Sequence, residues 1–236
     1  DWSSDVCSSD LREGRDAFYR GEIGAAIASA VEARGGFLTP PDLAAHQCTW
    51  VEPIRTTYRG YELCEIPPNT QGFVALEMLN ILEGYDIRAM GHSSADHLHY
   101  VAEAKRIAFA DRTAYLADAD HVPRATLEML ISKDYAAARR RDIDPRHVAP
   151  RQRAGDLSQA RGDTVYLAAA DGYGNVISFI NSLFGSFGSG VVVPGTGVVL
   201  HNRGLGFTLQ PGHPKDRKST RLNSSHVSES RMPSSA

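Results

Sequence analysis

The chain of 236 residues changes its hydrophobic period once, and this change limits the folds that are open to it. Upstream of residue 144, apolar residues recur mainly at helical spacing. Residues 144–162 are polar, contain proline and have no period, which is typical of a linker or an exposed loop. Beyond them, Thr164–Ala170 and Val176–Ser182 are β-prone runs on either side of a glycine-containing turn at 171–175. Helices followed by strands predict a layered α+β protein.

The upstream part is predicted to contain several helices and one β-hairpin. Pro40 and Pro41 open a short helix after Thr39, and Arg59-Gly60 is typical of the turn of a hairpin. We predict helices over 22–34, 39–45, 74–82, 94–116 and 133–141, and hairpin strands over 54–58 and 61–66. Downstream of the second β-prone run, Val191–Val193 and Val198–Leu200 extend the series of strands.

The two ends of the chain have a different composition from the rest. Residues 1–11 repeat Ser-Ser-Asp, and residues 218–236 are rich in serine and arginine without an apolar period. Such segments bury too little apolar surface to offset the entropy of ordering them. We therefore predict that both are non-native or disordered tails.

Charge and cysteine content exclude several classes of function. Lys and Arg number 25 against 28 Asp and Glu, so no basic field is available for nucleic acid, and Arg139–Arg141 is predicted to be a solvated helix end. No apolar run approaches the roughly 20 residues that a membrane helix needs. Three cysteines do not form a disulfide framework, and Cys48 and Cys64 are predicted to be small core residues. The compartment, cytoplasmic or periplasmic, stays open.

Common cofactor and metal motifs give no site in this sequence. His97 and His99 lie two residues apart, on different faces of a helix, so they do not suit a metal ion. The loop 185–190 is rich in glycine, but no Gly-Lys-Ser/Thr follows it, so nucleotide binding is not indicated. We predict neither a cofactor nor a metal.

The Asp163-Thr164 step is the most informative candidate for chemistry. A threonine at the start of a strand, directly after a loop, gains a free α-amine if the chain is cut before it. This amine has a pKa of about 7.7–8.0, so it can act as a base for the neighbouring hydroxyl. Threonine also begins many ordinary strands, and spacing alone favours that plainer interpretation.

Several ordered motifs over about 14–214 resemble the gamma-glutamyltransferase family. The strongest is Gly162-Asp163-Thr164-Val165-Tyr166, continuing through the turn at 171–175, which resembles the start of the family's small subunit. Segments 187–197, 14–21, 58–61, 66–68 and 108–112 also match, the last four in its large subunit.

The resemblance implies a fold, a maturation step and an activity. It implies a partial four-layer αββα sandwich of the N-terminal nucleophile hydrolases, with residues 12–163 in the large subunit and 164–217 in the small one. Both subunits would come from one precursor, cut between Asp163 and Thr164. Thr164 would then attack a gamma-glutamyl amide such as glutathione and form an acyl-enzyme, which passes to water or to an amine.

Further site residues follow from the same resemblance. Ser182 stands where the family usually has a second threonine that assists the nucleophile, although a plain strand-end serine is the alternative. Asn202 and Arg203 stand in a substrate-binding segment, and Arg203 could instead pair with a surface carboxylate. Phe184 stands where glutathione-cleaving members often have asparagine, and Gly206 stands where they carry an acid that grips the substrate's amino group. This departure resembles a side branch of acylases and small amidohydrolases, so an anionic, non-glutamyl substrate such as an oxamate is the alternative.

Some parts of the family's site are expected to lie outside this chain. The glycine pair that stabilises the oxyanion, and paired serines, fall downstream of it, and the arginine that holds the glutamyl carboxylate falls upstream. Since an oxyanion donor contributes roughly 2.7–4 kcal/mol to catalysis, we expect this chain to be inactive alone. A truncated, non-catalytic scaffold is the alternative from another class of function.

Overall fold

The computed structural model describes residues 14–148 and 164–207, and these residues divide into two compact units. The first unit contains residues 14–49 and 164–206. The second contains residues 50–148 together with Phe207. Helices and strand pairs are both present, so the predicted α+β class is confirmed.

The second unit combines a hairpin with helices. Strands β1 and β2 pair antiparallel, from Ile54 opposite Glu65 to Tyr58 opposite Tyr61, around a turn in which Arg59 and Gly60 have positive φ. The bounds are Ile54–Tyr58 for β1, Tyr61–Glu65 for β2, Gly72–Leu82 for α4, Ala95–Tyr115 for α5, Arg124–Leu130 for α6 and Lys133–Arg139 for α7, with 3-10 turns at Ala119–His121 and Arg140–Asp142. The hairpin and the helices α4, α5 and α7 match their predictions, whereas α6 was not predicted.

Helix α4 is the centre of this unit because it is buried on nearly every side. Two apolar clusters surround it, one around Phe73, Val74 and Leu130, the other around Ile81, Ala104 and Ile107. Asn80 of the same helix has no exposed surface. Its Oδ1 accepts hydrogen bonds from Thr56 Oγ1 (2.8 Å) and Lys133 Nζ (2.6 Å), and its Nδ2 donates to the carbonyl of Ile131 (2.7 Å). A buried amide is tolerated here because its hydrogen bonds are satisfied, and it links the hairpin to α4 and α7.

Two predictions about polar residues are wrong at four positions, one of which, Cys48, lies in the first unit. Arg139 and Arg140 are half-buried rather than solvated: Arg139 contacts Asp111 and Asp142, and Arg140 Nη1 donates to the carbonyl of Asn80 (2.9 Å). Their partners lie far upstream in the sequence, or within a turn that follows the helix. Cys64 is exposed because the strand alternation turns it away from Leu63, and Cys48 is exposed as well, so neither is a core residue.

The first unit joins helices from the start of the chain to strands from its later part. Helix α1 spans Arg15–Tyr19, α2 spans Glu22–Glu32 and α3 spans Pro40–Ala45. The Thr39 backbone N–H donates to Asp42 Oδ2 (2.9 Å) in a capping box, which fixes the predicted start of α3. Val193 has no exposed surface and packs with Phe18, Ile27 and Leu43 of these helices.

Strands β3 (Thr164–Ala170) and β4 (Val176–Ser182) have the predicted bounds and pair antiparallel. The later runs Val191–Val193 and Val198–Leu200 do not form strands. They meet in one isolated bridge between Val192 and Val199, with hydrogen bonds from Val193 N to Val198 O (2.8 Å) and from Leu200 N to Val191 O (2.9 Å). In the two described ranges, no helix has the length and apolar character needed to span a bilayer.

Candidate active site

The β3–β4 hairpin brings together the two residues to which sequence analysis assigned the chemistry. Thr164 is the first residue of β3 and Ser182 the last of β4, and the register places their Cα atoms opposite each other. Directly opposed residues of an antiparallel pair have Cα atoms about 4.5–5.5 Å apart. The prediction that both belong to one site therefore agrees with the register, whereas Asp163 lies outside the described residues.

The turn between the two strands sets this register. Asp171 Oδ1 accepts hydrogen bonds from the backbone N–H groups of Tyr173 and Asn175, both 2.9 Å, and Asn175 Nδ2 donates to Asp171 Oδ2 (2.7 Å). Hydrogen bonds hold the pKa of Asp171 below its ordinary value, and those from Asn175 have the largest effect. Gly174 has φ 86°, a conformation that glycine adopts without steric cost. Because side chains alternate along a strand, a slip of one residue would separate Thr164 from Ser182.

The chain turns sharply directly after Ser182. Ser182 Oγ accepts a hydrogen bond from the backbone N–H of Phe184 (2.9 Å). Phe184 itself has φ 77°, in the left-handed region that disfavours bulky residues. Ser182 Oγ therefore contributes to the shape of this turn.

The predicted substrate-binding segment lies against the same turn. Arg203 Nη2 donates to the carbonyl of Ser182 (2.7 Å), and Arg203 begins a 3-10 turn that ends at Gly206. The backbone N–H of Asn202 donates to the carbonyl of Leu183 (3.2 Å), and Asn202 Oδ1 accepts from the N–H of Gly185 (2.9 Å). The structure therefore places Asn202 and Arg203 beside Ser182, at the end of β4 that faces Thr164 across the ladder.

Sequence analysis did not predict how Gly185 and Phe184 shape this region. A Cβ at Gly185 would lie 3.0 Å from Asn202 Nδ2, so the absence of a side chain permits the close approach of residue 202. Its signal was the glycine itself, which sequence analysis considered only as part of a phosphate-like loop. Phe184 was noted as a departure from the family pattern, but its left-handed conformation had no signal, since phenylalanine does not favour it.

The potential metal ligands among the described residues are dispersed. Within 14–148 and 164–207, no three His, Cys, Asp or Glu side chains are grouped as ligands. The ring of His99 contacts the carbonyl oxygen of Asp144 through Nε2 (2.7 Å). The groups gathered at the end of β4 are hydroxyl, amide and guanidinium, which suit hydrogen bonding to an acyl group and its anionic substituents.

Comparison with solved structures defines the class of fold. The structure of the cephalosporin acylase from Bacillus halodurans aligns with a TM-score of 0.77 and 41% identity, over 90% of this chain and 38% of the acylase chain. The mixed α+β architecture is thus that of the N-terminal nucleophile hydrolases, of which this chain has a part.

The family follows from the sequence match. The family model for gamma-glutamyltranspeptidase matches residues 11–235, and the chain belongs to this family. It is 38% identical over 201 residues to the glutathione hydrolase-like YwrD proenzyme of Bacillus subtilis (strain 168), covering 85% of this chain and 37% of that protein. It is 41% identical to the acylase ACY 1 proenzyme of Pseudomonas sp. (strain SE83), over 85% of this chain and 36% of that protein. The chain thus spans 36% to 37% of the length of these relatives.

Proposed function

We propose that this chain is part of a self-processing amide hydrolase or acyltransferase whose nucleophile is Thr164. The observation that carries the proposal is the β3–β4 register, in which Thr164 begins one strand opposite Ser182 at the end of the other. Family membership supports it, since the two relatives described above are both named as proenzymes.

Maturation begins with attack of the Thr164 hydroxyl on the carbonyl carbon of Asp163. The Asp163–Thr164 peptide bond breaks as an ester to the Thr164 oxygen forms, and the nitrogen gains the hydroxyl proton and becomes a free α-amine. Water then cleaves the ester and restores the hydroxyl. The new amine has a pKa of about 7.7–8.0, so a useful fraction is unprotonated near neutral pH and can accept the hydroxyl proton.

Turnover repeats the same chemistry on a substrate amide. The Thr164 oxygen attacks the amide carbonyl, the α-amine takes the hydroxyl proton, and the leaving amine departs with that proton. The acyl-enzyme then reacts with water or with an acceptor amine. Ser182 supplies a second hydroxyl at this position, where it can hydrogen-bond the amine or the oxygen of residue 164.

The proposed cut would divide the chain into residues 12–163 of a large subunit and 164–217 of a small one. The first compact unit contains residues from both sides of this boundary. Val193 is fully buried among Phe18, Ile27 and Leu43, which lie upstream of the cut. This shared core supports the proposal that the two subunits remain associated after processing.

The proposed substrate is a gamma-glutamyl amide such as glutathione, bound in part by Asn202 and Arg203. An amide with another anionic acyl group, oxamate-like or acylase-type, is the second candidate. It is favoured by Arg203, a cation beside Ser182, and by Gly206, which offers no side chain to hold a substrate ammonium group. The relatives point in both directions, since one is named as glutathione hydrolase-like and another as an acylase.

The test uses a full-length precursor that contains this chain. We expect mass spectrometry of the wild type to find two fragments, the second beginning at Thr164, and Thr164→Ala to remain a single inactive chain. Thr164→Ser is the matched control, since it keeps a hydroxyl and should retain slower maturation. A processed Thr164→Ala, or an uncut wild type, would exclude the proposed nucleophile and favour the scaffold alternative. Assays with gamma-glutamyl anilides and simple anionic amides then separate the two substrate classes.

A further inference from the structure

We propose that Arg203 and Asn202 are positioning residues that clamp the end of β4 and thereby hold Ser182 in place opposite Thr164. The proposal rests on the proposed function, and it adds a role that does not involve substrate. Maturation provides the distinction, because the cut before Thr164 takes place without any substrate bound.

The clamp consists of three hydrogen bonds to backbone groups that follow one another along the chain. Arg203 Nη2 binds the carbonyl of Ser182 (2.7 Å), and the Asn202 N–H binds the carbonyl of Leu183 (3.2 Å). Asn202 Oδ1 accepts a hydrogen bond from the backbone N–H of Gly185 (2.9 Å). Two consecutive residues thus hold the backbone on both sides of Phe184.

Phe184 explains why such a clamp is needed. Its φ of 77° is unfavourable for a bulky side chain, and a conformation of this kind persists only where the surroundings hold it. Ser182 Oγ contributes by accepting the N–H of Phe184 (2.9 Å), so the same hydroxyl that is proposed to assist Thr164 is tied to the turn. Relaxation of Phe184 would therefore move Ser182.

The neighbouring loop leaves little room for a different arrangement. The N–H and the hydroxyl of Ser189 both donate to the carbonyl of Leu200, each at 2.8 Å. A Cβ at Gly188 would collide with that same carbonyl oxygen. These contacts join residues 188–189 to Leu200, directly upstream of residues 202 and 203. They therefore restrict where residues 202 and 203 can lie relative to the end of β4.

Arginine suits this role better than a simple cation does. Its guanidinium is planar, always charged and presents five donors in a fixed fork, whereas the lysine ammonium is a compact charge on a flexible stem. Arg203→Lys therefore keeps a positive charge for an anionic substrate and loses the fixed geometry toward the Ser182 carbonyl. This difference separates positioning from charge recognition.

The first experiment measures maturation and kinetics of Arg203→Lys in the full-length precursor. We expect the maturation rate and kcat both to fall about 10- to 100-fold, since a shift of roughly 1 Å at a reacting group has effects of this size, while KM changes less than about threefold. If Arg203 acts only on substrate charge, maturation keeps the wild-type rate and any change is confined to KM. That result would overturn the proposal.

The second experiment uses a matched pair at Asn202. Asn202→Ala removes the acceptor for the Gly185 N–H and is expected to slow maturation, whereas Asn202→Asp keeps an acceptor oxygen and should recover most of the lost rate. Gly185→Ala, which brings a Cβ to 3.0 Å from Asn202 Nδ2, is expected to slow maturation as well. Equal rates for Asn202→Ala and the wild type would contradict the clamp, even if Arg203→Lys fails to fold.

Controls separate this inference from the proposed function and from general destabilisation. Arg124→Lys changes an arginine whose side chain is 89% exposed and which pairs with Glu128, so it should mature like the wild type. Rates are measured well below the Tm of every variant. An uncut wild type or a processed Thr164→Ala shows that the proposed function has failed. Only the clamp proposal is contradicted if the wild type is processed, Thr164→Ala stays uncut, and the variants of residues 202, 203 and 185 mature at the wild-type rate.

Discussion

Helix α4 and strand β3 have similar apolar sequences but opposite environments. Leu76 and Ile81 of α4 have no exposed surface, and even the polar side chains of Glu77 and Asn80 in this helix are buried. Every residue of β3 from Val165 to Ala170 is exposed, although the strand is almost entirely apolar. The helix is held by side-chain packing, whereas the strand is held by its ladder to β4 and by the Asp171 turn, and β4 in turn is held at its end by Arg203.

The difference shows how the proposed site is held in position. The candidate nucleophile lies on an element whose position depends on backbone hydrogen bonds and on a few specific side chains. Within this chain, which spans 37% of the length of its YwrD relative, such a site is expected to be sensitive to changes that displace a carbonyl by about 1 Å. In the second unit, by contrast, we expect the loss of buried apolar surface to have the larger effect.

The largest expected effect comes from the same truncation in the two elements. Leu76→Ala removes a fully buried side chain from α4 and should lower the free energy of unfolding of this chain by about 2–5 kcal/mol. Leu167→Ala removes a side chain that is 48% exposed and should cost less than about 1 kcal/mol. Urea unfolding of the 236-residue chain, followed by circular dichroism, provides the comparison. Equal losses would mean that β3 is packed as tightly as α4.

A buried carboxyl group in α4 predicts a pH dependence of the second unit. Burial, and next the neighbouring Asp111 carboxyl, raises the pKa of Glu77 to about 9. Asp111 accepts a hydrogen bond from Tyr135 (2.8 Å) and lies 3.5 Å from Arg139 Nε, so the cluster is tied to α7. The unfolded chain releases the Glu77 proton near pH 4.5, whereas the folded chain keeps it to about pH 9. The contribution of protonated Glu77 to the free energy of unfolding is therefore fully present below pH 4.5, and it is lost as the pH rises toward 9.

Glu77→Gln should remove this dependence. Between pH 5 and pH 8, the wild type is expected to lose about 2–4 kcal/mol more unfolding free energy than the variant, measured by urea titrations at each pH. Glu128→Gln is the matched control, since Glu128 lies in an exposed pair with Arg124 and should leave the wild-type slope unchanged. Parallel slopes for the wild type and Glu77→Gln would show that Glu77 is ionised in the folded chain.

The smallest effect is expected in the β3–β4 turn. Asp171→Ala removes the acceptor for the N–H groups of Tyr173 and Asn175, so amide hydrogen exchange at these two residues should accelerate a few-fold at neutral pH. Hydrogen bonds lower the pKa of Asp171, and those from Asn175 contribute most. The protection of these amides is therefore present above pH 3.8, the ordinary pKa of the group, and is lost as the pH falls through the lowered pKa. Acidified wild type should therefore resemble the variant. Unchanged protection in Asp171→Ala would show that the ladder alone sets the turn.

Prediction from the sequence succeeded where local signals decide the structure. The bounds of β3 and β4 followed from two β-prone runs around a glycine-containing turn, and the start of α3 followed from Thr39 and its prolines. Prediction failed where a distant partner decides. Arg139 and Arg140 were expected in solvent, yet they contact Asp111 and the carbonyl of Asn80, residues that no local pattern links to them.

The candidate site shows the same division. The sequence predicted Thr164, Ser182, Asn202 and Arg203 as site residues, and it did so through resemblance to a family rather than through spacing alone. It did not show that Arg203 binds the Ser182 carbonyl, that Asn202 binds Gly185, or that Phe184 lies between these contacts in a left-handed conformation.

By itself, the sequence determined most of the helices, the two hairpins and the bounds of β3 and β4, at whose ends residues 164 and 182 lie. Hydrophobic period and turn chemistry act over a few neighbouring residues, so they can be read without the fold. Only the tertiary structure decided which charged groups are buried and which side chains hold the end of β4. Those outcomes depend on contacts between segments about twenty to sixty residues apart, whose energies exist only once the chain has folded.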